Sequence, residues 1–159
     1  MATVKSGFIT NLEGNTINDR GSKGVKHSMI AKYASTGAIA INTVIAMLPI
    51  SIDATILSVK LSSDDHGTTG DMHIGFHKID GTTAIDIDAI AADVDVNDAA
   101  LVKAEQRFAV KAIETLGQKV WALAGLSARP SYDECYVTLT ASEATTAAGD
   151  LVLEIDYLV

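Results

Sequence analysis

The amino-acid sequence predicts an all-β fold: a sandwich or barrel of about seven to nine short strands, with one short helix and an extended N-terminal arm. Three observations carry that expectation. From Gly37 onward, apolar and polar residues alternate with a period of two, the spacing that lines one face of a strand. Turn-forming residues recur about every ten positions. The first 25 residues are rich in Gly, Asn, Ser and Thr and hold few large apolar groups, a composition that cannot bury itself.

The charge count marks the same division. Residues 1–35 carry Lys5, Arg20, Lys23, Lys26 and Lys32 against Glu13 and Asp19, a net of +3, whereas residues 36–159 carry seven basic and eighteen acidic side chains, a net of −11. The expected organisation is therefore a basic, polar arm over 1–35 ahead of an acidic β-sandwich domain over 36–159. Gly37 to Ile50 is an uncharged, largely apolar stretch. In the next segment the apolar set runs Ile52, Ala54, Ile56 and then changes phase to Leu57, Val59, Leu61, which predicts a β-bulge or a passage between two sheets. Met72, Ile74 and Phe76 alternate with Asp71, His73, Gly75 and His77, predicting a half-buried strand with its polar residues outward. Asp80 and Gly81 are the expected tight turn to a second strand, in which Ile85 and Ile87 alternate with Asp86 and Asp88.

Residues 99–126 fit neither period, but a short helix near Gln118 to Gly125, closed by that glycine, is expected. Tyr136, Val137, Thr138 and Thr140 favour strand, and Leu151, Leu153, Ile155 and Tyr157 alternate with Val152, Glu154 and Asp156 in the clearest strand of the chain.

Composition narrows the function. At 159 residues the chain fits one domain. A net charge of −8 argues against a duplex nucleic-acid partner, because that affinity rests on Lys and Arg neutralising phosphates. The single cysteine, Cys135, has no partner for an internal disulfide and reads as a small apolar filler in a strand. No stretch is apolar and long enough for a signal peptide or a membrane span, so the expectation is a soluble protein without Sec export or a membrane partner.

Asp64, Asp65, His66, Asp71, His73 and His77 lie within fourteen residues, the composition of a metal site. On one strand, however, His73 and His77 stand roughly 13 Å apart, and Asp71 and His73 roughly 7 Å, so an ion would need help from another strand. Asp93, Asp95 and Asn97 open like a calcium loop, but Asp98 stands where the sharp turn needs Gly and Ala104 where the closing carboxylate belongs. No nucleophile, phosphate-cradling or zinc-protease motif is present, and Trp121, among Val120, Ala122 and Leu123, reads as a core anchor. The expectation is a protein that is not an enzyme and has no cofactor or metal.

The segments AIAINTVIAMLPI, ILSVKL, GTTGDMHIGFHKIDGT, LGQKVWALAGLS and TLTASEATTAAGDLVLEIDYLV, taken in order, resemble the head decoration, or cement, proteins of tailed bacteriophages. The resemblance covers about 120 residues, Thr36 to Val159, and rests on patterns of small residues. It implies a β-sandwich or jelly roll, a trimer or dimer, on the exterior of a virion capsid, bridging major capsid subunits. An arm with no core of its own suits a segment that orders across a partner, and Arg20, Lys23, Lys26 and Lys32 are its expected contacts. Two rival functions share the architecture. A carbohydrate- or receptor-binding module would call for exposed aromatic residues, and the chain holds one Trp, three Phe and four Tyr. A metal-dependent hydrolase would need the His and Asp cluster assembled from several strands.

Overall fold

The computed structural model describes residues 9–10, 25–97, 100–106 and 117–159. Within them are nine strands and one helical turn: β1 (Ile9–Thr10), β2 (Lys26–Ala34), β3 (Val44–Ser51), β4 (Thr55–Ser63), β5 (Asp71–Lys78), β6 (Ala84–Asp95), β7 (Leu101–Glu105), α1 (Val120–Leu123), β8 (Glu134–Ala141) and β9 (Asp150–Leu158). The strands form two antiparallel sheets, one ordered β1-β2-β9-β4-β7 and the other β3-β8-β5-β6.

The pairings explain that order. β2 pairs with β9, β3 with β8, β4 with β7 and β5 with β6, so the chain forms one long antiparallel ribbon. Rolling the ribbon adds the pairs β4·β9 and β5·β8, which complete the two sheets. This is a jelly roll. The connections after β2, β4, β6 and β8 all cross from one sheet to the other, and they cross at the same end.

The core lies between the sheets and is drawn from alternate residues. Leu151, Leu153 and Ile155 of β9 and Val59 and Leu61 of β4 are fully buried, as are Met72, Ile74 and Phe76 of β5 and Val137, Leu139 and Ala141 of β8. Each large aliphatic or aromatic side chain so placed contributes about 1.5–3 kcal/mol. The phase change in the sequence around Leu57 has both of its expected causes. The chain leaves one sheet at Ser51 and enters the other at Thr55, and the β4–β9 register then shifts between Ile56 and Ser58. The bulge lets Ile56 and Val59 both face inward although they stand an odd number of positions apart.

The helical turn α1 has no side-chain cap. Its first N–H groups are met instead by the β3–β4 turn: Val120 donates to the Ala54 carbonyl at 2.8 Å and Trp121 to the Ile52 carbonyl at 3.2 Å. Gly125, at φ 70°, closes the helix as its position in the sequence predicts. Trp121 is partly buried and packs against the core. Cys135 is buried, and burial pushes its thiol up to about 12. Among the described residues no helix is long and apolar enough to cross a membrane.

Three expectations need correction. Lys26 to Ala34, which charge alone assigns to the arm, pair along their whole length with β9 and so belong to the sheet. His77 does not face solvent; it is 2% exposed, with Nδ1 2.9 Å from the Thr138 hydroxyl. Ile85 and Ile87 do not form one buried face, because β6 runs out of regular register with β5 and leaves Ile87 at the surface. The β6 main chain at Asp86 and Ile87 instead lies directly over Gly75, where any side chain would collide with it. That close approach needs glycine.

Candidate functional site

Two regions gather the residues singled out by the sequence. The first is the outer face of the sheet containing β2, β9 and β4. Lys26 pairs with Asp156 at 3.3 Å, Lys32 with Asp150, and Lys60 with Glu154 at 3.6 Å, while Ser28 donates a hydrogen bond to Asp156 at 2.5 Å. Burial, the largest single effect, pushes the Asp156 carboxyl up, but the Ser28 hydroxyl, Lys26 and Lys60 together hold it below its usual range. Lys26 and Lys32, expected as partner contacts, thus already face carboxylates of their own chain. Arg20 and Lys23 lie outside the described residues.

The second region is the end where the connections after β2, β4, β6 and β8 cross between the sheets. His66 stands at its centre, fully buried. Its N–H donates to the Val96 carbonyl, and its own carbonyl accepts from Thr146 and Ala147. The neighbouring segments are tied in by Thr145 donating to the Ile39 carbonyl, Ser35 to Gly149 and Val96 to Gly70. Neither ring nitrogen of His66 has a hydrogen-bond partner among the described residues. His66, in the connection after β4, therefore ties together the connections after β6 and β8.

The six residues of the expected metal cluster are dispersed by this arrangement. His66 enters the end of the sandwich, His77 is buried further along β5, and Asp64 and Asp65 act locally, Asp64 accepting from the Asp150 N–H and Asp65 from the Gly67 N–H. Among the described residues, no three His, Cys, Asp or Glu side chains close on one point. The calcium-like run is spread along β6 and its end: Asp93 sits in the left-handed region at φ 48°, and Asp95 accepts from the Asn97 N–H at 2.8 Å.

Asp71 and His73 do acquire company from neighbouring strands. Asp71 stands directly opposite Asp95 in the β5–β6 ladder. The register then slips, placing Ala92 and Asp93 opposite His73, whose Nδ1 accepts the Asp93 N–H at 3.2 Å. On the other side, Thr140 of β8 stands opposite His73, and the Asp71 carbonyl accepts from Ser142 and Glu143. Burial, and then the charges of Asp95, Glu143 and Asp93, raise the Asp71 carboxyl above its usual range, with His73 partly opposing. The facing carboxylates were not foreseeable from the hairpin turn. His77 pairs with Ala84, yet Asp71, six residues back, pairs with Asp95, eleven residues on.

No protein-family model matches the chain, and no curated protein does. Among solved structures, a chain described as "Capsid of Ralstonia phage GP4" is 15% identical, with 88% of each chain covered and a TM-score of 0.58. A chain from "Cyanophage Pam1 capsid asymmetric unit" is 16% identical over 89% of each chain, with a TM-score of 0.48. At this identity the likeness to the Ralstonia phage chain establishes a shared fold.

Proposed function

We propose that this chain is a structural protein of a tailed-bacteriophage virion that binds the outer surface of the capsid and stabilises contacts between major capsid subunits. The supporting observation is the jelly roll itself, matched across 88% of its length to a chain of similar extent in a phage capsid structure. The segment-by-segment resemblance to decoration proteins points the same way. In this reading the chain performs no catalysis. It acts as a trimer or dimer, and its basic N-terminal segment reaches across a capsid subunit while the acidic jelly roll faces outward.

A protein that binds the assembled shell and not free subunits stabilises the shell by mass action. Many copies, each contributing about 1–3 kcal/mol, act together on one particle, and contacts linked through one chain lengthen residence on it. The test uses heads stripped of accessory protein, with the purified chain added back. Saturable binding at a fixed stoichiometry, with a higher disruption temperature, is the expected result. Binding with an unchanged disruption temperature would remove the cementing role and leave display or host attachment. No binding to heads would remove the virion role.

A further inference from the structure

The hairpin between β5 and β6 turns through residues 79–83, with Asp80 and Gly81 adjacent at its tip and Asp80 exposed. Aspartate followed by glycine is the pair most open to spontaneous rearrangement, because glycine has no side chain to obstruct its own nitrogen and its main chain adopts whatever conformation ring closure needs. In that reaction the Gly81 nitrogen attacks the side-chain carboxyl carbon of Asp80. A nitrogen–carbon bond forms, the amide proton and the carboxyl hydroxyl leave as water, and a cyclic succinimide results. Water then opens the ring at either carbonyl, restoring aspartate or leaving isoaspartate, in which the main chain runs through the side-chain methylene. The product is an isomer of the starting chain, so no oxidant, reductant or cofactor is required.

The turn opposes both reacting groups. The Gly81 N–H donates to the Lys78 carbonyl at 2.8 Å, which engages the nucleophile. Oδ1 of Asp80 accepts the N–H groups of Thr82 at 2.7 Å and Thr83 at 2.8 Å and the Thr82 hydroxyl at 3.2 Å, while Oδ2 accepts the Thr83 hydroxyl at 2.7 Å. Ring closure expels hydroxide from a neutral carboxyl far more readily than oxide from a carboxylate, and donors of this kind favour the carboxylate. The Thr83 N–H, then the Thr82 N–H and the Thr83 hydroxyl, hold Asp80 well below the usual carboxylate range. Rotation of the carboxyl onto the Gly81 nitrogen also breaks these bonds.

We propose that Asp80 and Gly81 form a latent site of aspartate isomerisation that the hydrogen bonds of the turn hold shut in the folded protein. Isoaspartate would insert one carbon into the main chain of a turn closed by the Lys78 N–H on the Thr83 carbonyl, and would loosen β6, an edge strand paired only with β5 in its sheet. In the capsid reading above, where subunits of a finished particle are not replaced, the turn would set how long this hairpin lasts. The site itself rests on the turn alone.

The test incubates the full chain, folded and in concentrated urea, and follows isoaspartate at residue 80 by peptide mapping with isoaspartyl methyltransferase labelling. The folded protein is expected to isomerise at least about tenfold more slowly than the unfolded one. Thr83→Val keeps the N–H and removes the hydroxyl, and is expected to speed the reaction in the folded state by roughly two- to fivefold. Thr83→Ser restores the hydroxyl and should return the wild-type rate, which general rigidity of the hairpin would not produce. Equal rates in the folded and unfolded chains, or the same folded-state rate for Thr83→Val, Thr83→Ser and wild type, would overturn the proposal.

Discussion

A Cβ placed on Gly149 would stand 2.9 Å from Nε2 of His66 and 3.0 Å from its Cε1, so the glycine is what admits the imidazole to the end of the sandwich. The main chain of His66 is bonded to the β6–β7 and β8–β9 connections, and the ring has no room to retreat without disturbing them. Gly149→Ala is therefore expected to cost about 1–3 kcal/mol by overpacking, measured by urea unfolding with an unchanged m-value. Pairing it with His66→Ala should recover part of the loss. Equal losses in the single and double variants would show that the two residues do not compete for space.

Stability should depend on pH through His77. Burial lowers the affinity of its ring for protons in the folded state, with Asp80 partly opposing. As pH falls below about 6.5, the unfolded chain takes up a proton that the folded chain does not, so folding loses free energy on the acid side. That contribution is constant above this range and declines until the folded ring itself protonates. His77→Gln retains a partner for the Thr138 hydroxyl and should flatten the profile between pH 7 and 5, roughly the window of histidine titration. Parallel stability profiles for the two proteins would remove His77 as the cause.

Cys135 is expected to be chemically silent while the protein is folded. With its thiol pushed up to about 12 and its side chain between packed strands, almost no reactive thiolate is available near neutral pH. Alkylation by iodoacetamide should proceed only as fast as the β3–β8 region opens, and should accelerate in step with unfolding as urea is added. Rapid labelling in the absence of denaturant would place the thiol outside the core.

How far the sequence discloses this fold depends on how regular each strand is. Leu151, Leu153 and Ile155 alternate cleanly because β9 lies between two partners, β2 and β4, with one face on the core, and the burial follows the sequence residue by residue. The step at Leu57 was legible for the same reason, since a bulge in a half-buried strand must shift the apolar phase. β6 was not legible, because its register slips at several points and its burial no longer follows a period of two. The Asp71–Asp95 juxtaposition depends on those slips, so neither the hairpin turn nor the spacing of acidic residues announces it. β2 was masked by its charge. Lys26 and Lys32 read as part of a basic arm, whereas their carboxylate partners, Asp156 and Asp150, lie more than a hundred residues away on β9. Met29 and Ala31, between those lysines, carry the inward face.

That pairing changes which cations are expected to matter for attachment to a capsid. A lysine already matched to a carboxylate of its own sheet gives up that partner to engage another, so its net contribution to binding is small. Arg20 and Lys23, the other two expected contacts, are then the cations proposed to meet a partner. Arg20→Ala with Lys23→Ala is accordingly expected to weaken attachment to stripped heads by about three- to tenfold at low salt. The loss should shrink as ionic strength rises, because exposed charges are screened. Lys26→Ala with Lys32→Ala should leave occupancy nearly unchanged and chiefly expose Asp156 and Asp150. The measurement is occupancy of heads across a salt series for the wild type and both double variants. A larger loss from the Lys26 and Lys32 pair would place the outer face of β2 against the capsid, and identical salt slopes for all three proteins would show that attachment is not electrostatic.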